Sequence, residues 1–331
     1  FIDRINTENN LGYAEKIYAA NPCGEVPLPP YGACDLGSIN LTRMVRHPFT
    51  QDAAIDFDGL KTTVHTAVRF LDNVLDGSHY PLEQQAAQAA ESRRIGLGVT
   101  GLADALIMLG IPYGSAQGRQ LTGRVLEVMR DEAYRASVAL AQEKGSFPAL
   151  QTADFLARPF IRRLPEALRD EIRSKGIRNS HLLALAPTGS ISLLAGNVST
   201  GIEPCFAGSV DRLIRRVEGK YDSVALEDHA LRLWRDQGGD DPYPPAFVIA
   251  SDLSPDDHLA MQATAQVFVD NAISKTINVP SGIPFDVFRD VYRKAYKLGL
   301  KGCTVYRQGS RGTDILTAVA GAECISGACR T

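Results

Sequence analysis

The sequence has few of the features that mark specialised classes of protein. Only six of its 331 residues are cysteine. That is too few for a disulfide framework, so a reducing compartment, the cytoplasm, is expected. No apolar run approaches the roughly 18 residues that a membrane span needs. The 35 basic residues are balanced by 38 acidic ones, so no nucleic-acid-binding surface is expected either.

Common catalytic and cofactor motifs are also missing. The six histidines are scattered and no C-x-x-C or H-x-x-x-H pair suggests a metal site. One G-x-G-x-x-G stretch occurs at residues 96–101, but a dinucleotide site needs a strand before it and an acid about 20 residues later. Helix formers precede this stretch instead. The pattern therefore predicts glycines that let two helices pack, with the second helix over about 97–109.

Apolar periodicity indicates an α/β fold. From residue 150 onward, short apolar runs alternate with amphipathic stretches, which is typical of parallel strands joined by helices. The strands are predicted at 181–187, 246–250, 273–280 and 302–307, and helices at about 59–78, 81–94, 116–144, 164–175, 225–236, 254–272 and 284–298.

A loop near the start combines three chemically useful side chains. Asn21, Cys23 and Glu25 follow one another at every second position, which in an extended loop turns them to one side. A thiol next to an amide and a possible general base makes a reactive group, although a loop cysteine with accidental polar neighbours gives the same pattern. Cys34, eleven residues later, adds a redox option.

A second loop has the composition of an anion site. It follows the predicted strand at 181–187, and a Gly/Ser/Thr turn after a strand is a frequent place for phosphate. An ordinary turn has the same residues. The candidate phosphate-binding residues are Pro187, Thr188, Gly189, Ser190 and Ile191.

Together these segments resemble the catalytic subunit of ribonucleotide reductase. Within that family they resemble the adenosylcobalamin-dependent class II enzymes. The text that carries the resemblance is NPCGEVPLPPYGACDLGSINL (21–41), RRIGLGVTGLADAL (93–106), RNSHLLALAPTGSISLLAGNVSTGIEPCFA (178–207), ISKTINVP (273–280) and LGLKGCTVYRQGSR (298–311). It runs in order over roughly residues 15–311.

The resemblance implies the second half of a ten-stranded α/β barrel, with a central finger loop that carries a radical cysteine. Cys23 is implied to become a thiyl radical that removes the 3'-hydrogen of a ribonucleotide, Glu25 to accept the 3'-hydroxyl proton, and Asn21 to hold the sugar. Cys34 is implied to be one of the two thiols that supply electrons and become a disulfide.

The radical generator implied is adenosylcobalamin. Class I relatives receive the radical from a metal-containing subunit through two adjacent tyrosines, whereas here Tyr306 is followed by Arg307. A class I enzyme with such a partner and a non-catalytic, nucleotide-binding half-barrel stay as alternatives.

The chain departs from the family pattern at both ends. The N-terminal half of the barrel, with the second redox cysteine, is absent and is expected from upstream sequence or a separate chain. We expect residues 1–311 to be barrel and 312–331 a flexible tail, in which Cys324 and Cys329 resemble a thiol shuttle. Cys205 and Cys303 read as core residues. The implied partners are a ribonucleoside diphosphate, a thioredoxin- or glutaredoxin-like reductant and a second copy in a homodimer.

Overall fold

A computed structural model describes residues 1–215, 219, 221–310 and 316–318. The helices are α1 Ile2–Glu8, α2 Phe57–Gly77, α3 Glu83–Ser92, α4 Leu102–Met108, α5 Ala116–Lys144, α6 Thr152–Leu156, α7 Pro159–Arg162, α8 Glu166–Lys175, α9 Gly189–Leu194, α10 His229–Asp236, α11 Pro255–Gln266 and α12 Phe285–Lys297. The strands are β1 Ala19–Ala20, β2 Pro27–Leu28, β3 Asp35–Asn40, β4 Val45–Arg46, β5 Ala54–Ile55, β6 Ile95–Thr100, β7 Ser209–Arg215, β8 Tyr221–Glu227, β9 Thr276–Val279, β10 Thr304–Arg307 and β11 Leu316–Ala318.

Five stretches of chain lie side by side in parallel, and this row of strands is called the arc below. β3 pairs with β6 from Asp35 opposite Ile95 onward. The chain at 181–186 follows through the bridge of Leu97 to Leu183, and the chain at 271–274 through the bridge of Leu185 to Ile273. That last stretch runs on into β9, which pairs in parallel with β10. Within the described residues this sheet does not close into a barrel.

The helices begin where side chains cap them. The Asp56 carboxylate accepts the Gly59 N–H at the start of α2, and the Ser115 hydroxyl accepts the Gly118 N–H at the start of α5. These caps satisfy backbone donors that the first helical turn leaves without partners. Two long helices thereby start at fixed places and pack against each other.

The main core lies between the arc and these helices. All six residues of β6 are buried, as expected for a parallel strand covered on both faces. Leu97 from β6, Leu71 from α2 and Met129 from α5 belong to one buried apolar cluster. A smaller cluster around Ile277 and Val291 holds α12 against β9. These two apolar clusters thus hold the arc against the helices. The loops of the arc are left to carry functional side chains.

The α/β class and the parallel pairing predicted from sequence are confirmed. The helix predicted at 116–144 is correct to the residue, and Ser254 and Asp257 form a capping box at the start of α11. That helix ends at Gln266 rather than near 272. The predicted strands at 181–187 and 246–250 make only isolated bridges.

The prediction for the G-x-G-x-x-G stretch is wrong. Residues 95–100 form strand β6, and only 102–108 are helical. The glycines serve close approach between strands, because a Cβ on Gly98 would lie 2.3 Å from the carbonyl oxygen of Ala184. Gly101 has φ +72°, which turns the chain from strand to helix. The small residues of this stretch gave a spacing that suggested a helix where the chain forms a strand.

Candidate functional site

The side chains of the N-x-C-x-E segment lie on a hairpin between β1 and β2. Asn21 closes the turn, since its backbone N–H donates to Val26 O (3.0 Å) and its Oδ1 accepts the Val26 N–H (2.9 Å). Gly24 takes φ +83° with open space around it, so the chain reverses there without strain. Cys23 lies at the exposed tip of this turn.

The backbone of Glu25 joins the hairpin to the arc. The carbonyl oxygen of Glu25 accepts the N–H of Ala272 at 2.8 Å, and Ala272 adjoins the bridge between Leu185 and Ile273. The hairpin tip is therefore held against the sheet by a backbone contact of residues far apart in sequence. This contact places the loop beside the C-terminal strands of the arc.

Glu25 has an open carboxylate oxygen in a buried position. The residue is 2% exposed, and its Oε2 has no hydrogen-bond partner among the described residues. A buried acceptor without a partner is costly, and such atoms are frequently met by a ligand or an ordered water. Partial burial and the charge of Glu25 raise the pKa of Cys23, which keeps that thiol protonated near neutral pH.

Cys34 lies directly before β3. Its S–H faces Asp35 O at 3.5 Å, and a Cβ on Gly96 would lie 3.3 Å from its Sγ. Burial of the sulfur raises the pKa of Cys34 strongly, Arg94 opposes this, and the charge of Glu25 adds to it. The charge of Glu25 thus raises the pKa of both Cys23 and Cys34.

The loop at 187–191 is held from within. Thr188 has φ 52° and precedes α9. Its hydroxyl accepts the Gly201 N–H at 2.7 Å and lies 2.9 Å from the hydroxyl of Thr100. Thr188 is therefore an anchor for the loop, while Ser190 and Ile191 are exposed on it.

Two residues that sequence reasoning missed brace these loops. Asp270 accepts the N–H groups of Leu182 and Leu183, both at 2.8 Å, and the hydroxyl of Tyr134 at 2.8 Å. Arg94, with its side chain fully buried, donates to Pro27 O on the hairpin. The available signal was a charged residue next to an apolar run, because Asp270 directly follows the run at 267–269 and Arg94 directly precedes β6, and such groups are rarely buried without a partner.

The other thiols divide as follows. Cys205 is 3% exposed, in agreement with the prediction of a core residue, and its S–H donates to Asp228 Oδ2 at 3.1 Å. Cys303 is half-buried and burial raises its pKa to about 11. Cys324 and Cys329 lie outside the described residues, whereas β11, inside the predicted tail, pairs with β7.

One buried group of side chains in the described part of the chain has the residue types of a metal site. Asp104, Cys205 and Asp228 form a group with ligand atoms within 4.8 Å of one another. Both carboxylates already accept backbone N–H groups, Asp104 from Ser199 and Ala230 and Asp228 from Leu231.

None of the helices in the described ranges is both long and apolar enough to cross a bilayer.

Comparison with known proteins gives consistent matches. A family model described as ribonucleotide reductase, barrel domain, matches residues 1–306. The vitamin B12-dependent ribonucleoside-diphosphate reductase of Mycobacterium tuberculosis (strain CDC 1551 / Oshkosh) is 40% identical, over 97% of this chain and 46% of that protein. The protein of the same name from Thermoplasma acidophilum is 37% identical, over 96% of this chain and 41% of that protein.

A more distant relative carries a different name. The ribonucleoside-diphosphate reductase subunit alpha of Chlamydia pneumoniae is 26% identical, over 95% of this chain and 34% of that protein. The chain thus spans less than half the length of these curated relatives.

Proposed function

Because this chain belongs to the ribonucleotide reductase family, matched by its barrel domain, we propose that it is the C-terminal part of a class II ribonucleoside-diphosphate reductase. In this proposal residues 1–311 form the second half of the ten-stranded barrel and residues 312–331 its tail. The names of the relatives that are 40% and 37% identical support the diphosphate substrate and the dependence on vitamin B12.

One observation carries the proposal: the buried carboxylate of Glu25 has an oxygen without a hydrogen-bond partner among the described residues, two positions along the hairpin from the exposed thiol of Cys23. Glu25 Oε2 can accept the proton of a ribose hydroxyl, because it lacks another donor among the described residues. Cys23, as the thiyl radical, removes the hydrogen from the 3' carbon of that sugar. Asn21 uses Oδ1 to close the turn, which leaves its amide N–H₂ as the group proposed to donate to the sugar.

The remaining steps use Cys34 and the loop at 187–191. Loss of the 2'-hydroxyl as water needs two electrons, and we propose that Cys34 and a cysteine from the N-terminal half provide them by forming a disulfide. A thioredoxin- or glutaredoxin-like dithiol re-reduces it, with Cys324 and Cys329 as the shuttle. The exposed part of the loop, at Ser190 and Ile191, holds the substrate phosphates.

The donor chemistry of Cys23 fits adenosylcobalamin. When bound, this cofactor would supply radical chemistry, for which a protonated thiol would be the hydrogen-atom donor. Cys23 is exposed at the hairpin tip, and the raised pKa of Cys23 keeps its hydrogen on the sulfur. Cys23 would thus be the residue of this chain that gives up its hydrogen atom to the radical chemistry of the cofactor.

The test is reduction of a ribonucleoside diphosphate by the full-length protein with adenosylcobalamin and a dithiol. We expect Cys23→Ser to abolish turnover, because serine cannot carry the radical, and Cys303→Ser to retain it. Activity that survives in Cys23→Ser would refute the mechanism. Turnover without cobalamin, on addition of a metal-containing radical subunit, would instead identify a class I enzyme.

A further inference from the structure

Arg94 links three segments around the proposed site. Its side chain is fully buried and ion-paired with Glu15. Its Nη1 donates to Pro27 O, on the returning strand of the hairpin, at 3.4 Å, and its Nε donates to His181 Nδ1 at 3.3 Å. A buried guanidinium needs such partners to offset its lost hydration, so these contacts fix its position.

The sheet register places Arg94 beside Cys34. Asp35 is opposite Ile95 in the parallel pair of β3 and β6, so the residues that precede them, Cys34 and Arg94, are neighbours at the same end of the pair. A Cβ on Gly96 would meet Cys34 Sγ at 3.3 Å. Since side chains alternate along a strand, Gly96 and Arg94 share a face, and the thiol lies over that face.

The charges around Cys34 have opposite effects. Burial raises the pKa of Cys34, Arg94 is the strongest charge acting on it and lowers that pKa, and three carboxylates raise it. Tyr80 also faces this group, because Cys34 contributes to the raised pKa of Tyr80. The three carboxylates are Asp35, Asp270 and Glu25. Arg94 is therefore the charge in this set that favours a thiolate.

We propose that Arg94 is a positioning residue: its fixed charge stabilises the thiolate that Cys34 becomes when a disulfide at this site is reduced, and its bond to Pro27 holds the hairpin with Cys23 and Glu25 beside that thiol. The inference rests on the proposed function, which supplies the disulfide and the dithiol reductant. It adds a residue that controls how readily the site is reset after each turnover.

The step is an ordinary thiol–disulfide exchange. One thiolate of the reductant attacks the sulfur bonded to Cys34, the S–S bond breaks, and Cys34 leaves with the electron pair as a thiolate that then takes a proton from water. The second thiol of the reductant resolves the mixed disulfide. The reductant ends as a disulfide and the site as two thiols. A leaving thiol with a lower pKa departs faster, so the charge of Arg94 accelerates this step.

The test measures Cys34 alkylation in the reduced full-length protein, followed by peptide mass spectrometry. Neutral iodoacetamide and anionic iodoacetate are compared between pH 7 and 9. We expect Arg94→Met to slow iodoacetamide labelling of Cys34 by about tenfold, the effect of one pKa unit, and to lower the ratio of the iodoacetate to the iodoacetamide rate. That ratio reports local charge and is little changed by a looser structure.

Two further variants give the opposite sign and the matched control. Glu15→Gln removes the carboxylate that neutralises Arg94, so we expect a higher ratio and faster labelling, and this variant does not depend on Arg94→Met folding. Arg93→Met removes the neighbouring buried arginine, which pairs with Asp72, and should leave the ratio at its wild-type value.

Equal ratios in wild type, Arg94→Met and Glu15→Gln would overturn the proposal, as would an equal change in Arg93→Met. Alkylation needs no substrate, cofactor or turnover. The result is therefore independent of whether the protein reduces ribonucleotides.

Discussion

At the scale of single residues, the buried carboxylate of Asp228 stands out at the start of α10. Asp228 caps this helix through the Leu231 N–H, and it lies beside the buried Asp104 and Cys205. Burial, followed by the charge of Asp104, raises the pKa of Asp228 well above its usual value. The folded protein therefore favours the protonated form of Asp228 more than the unfolded chain does, in which an aspartate releases its proton above about pH 4.

The sign of the pH dependence follows directly. A raised folded-state pKa contributes stability at low pH, and that contribution is lost as the pH rises from the unfolded to the folded pKa, by up to about 1.4 kcal/mol for each pH unit. Asp228→Asn keeps the cap without the charge. We expect this variant to lose the pH dependence of the free energy of unfolding that Asp228 causes, and to be more stable than wild type at pH 8. Urea unfolding between pH 5 and 8 measures it.

A second capping aspartate serves as the control. Asp56 caps α2 and pairs with Arg46, and its backbone bond to Gly59 lowers the pKa of Asp56. Its stabilisation is therefore present at neutral pH and lost as the pH falls. Asp56→Asn should be less stable than wild type at pH 7. If both variants change stability in the same direction at high pH, the raised pKa of Asp228 is not the cause of the pH dependence.

The open oxygen of Glu25 gives a prediction on activity. Glu25→Gln should lower turnover by roughly 10²–10⁴-fold, the usual contribution of a general base. The melting temperature should change little, because Oε2 has no partner to lose among the described residues. Steady-state kinetics and thermal unfolding are measured together. A large loss of stability with unchanged turnover would assign Glu25 a structural role.

At the scale of secondary structure, the close approach of β6 to the chain at 181–186 depends on glycine. Gly98→Ala would place a methyl group 2.3 Å from Ala184 O, and a backbone atom cannot move aside easily. We expect a loss of about 1–3 kcal/mol in the free energy of unfolding, typical of overpacking. Denaturant unfolding gives the value.

Gly77→Ala is the matched control. Gly77 ends α2 and has open space where a Cβ would lie. Alanine there should be neutral or stabilising by up to about 1 kcal/mol. A similar loss in both variants would show that the strand contact is not the cause.

This contact also shows why part of the fold could be predicted and part could not. The long helix α5 could be predicted from its capping residues and its regular apolar face, because both signals are local. Residues 95–100 form a strand because Gly96 and Gly98 let neighbouring chains approach, and that depends on Ala184, far away in sequence. In the candidate site, Asn21, Cys23 and Glu25 were predicted from their spacing together with the family resemblance, and their roles stay a prediction. Arg94 and Asp270 act on segments that only the folded chain brings together.

At the scale of the whole molecule, the parallel arc has two outer strands, β3 and β10, each with one partner among the described strands. Strands with open edges unfold locally more often than central ones. In this chain we expect backbone amides of β6 to exchange with deuterium more slowly than those of β10. Hydrogen exchange followed by mass spectrometry tests this order. Equal protection of the two strands would contradict an open arc.

The internal bonds of Thr188 have a thermodynamic consequence. Its hydroxyl and its φ of 52° set the shape of the 187–191 loop through Thr100 and Gly201, without any outside molecule. The entropy of ordering that loop is therefore spent when the protein folds. An anion that binds there would meet a preorganised backbone, and calorimetry should record only a small entropic penalty for its capture.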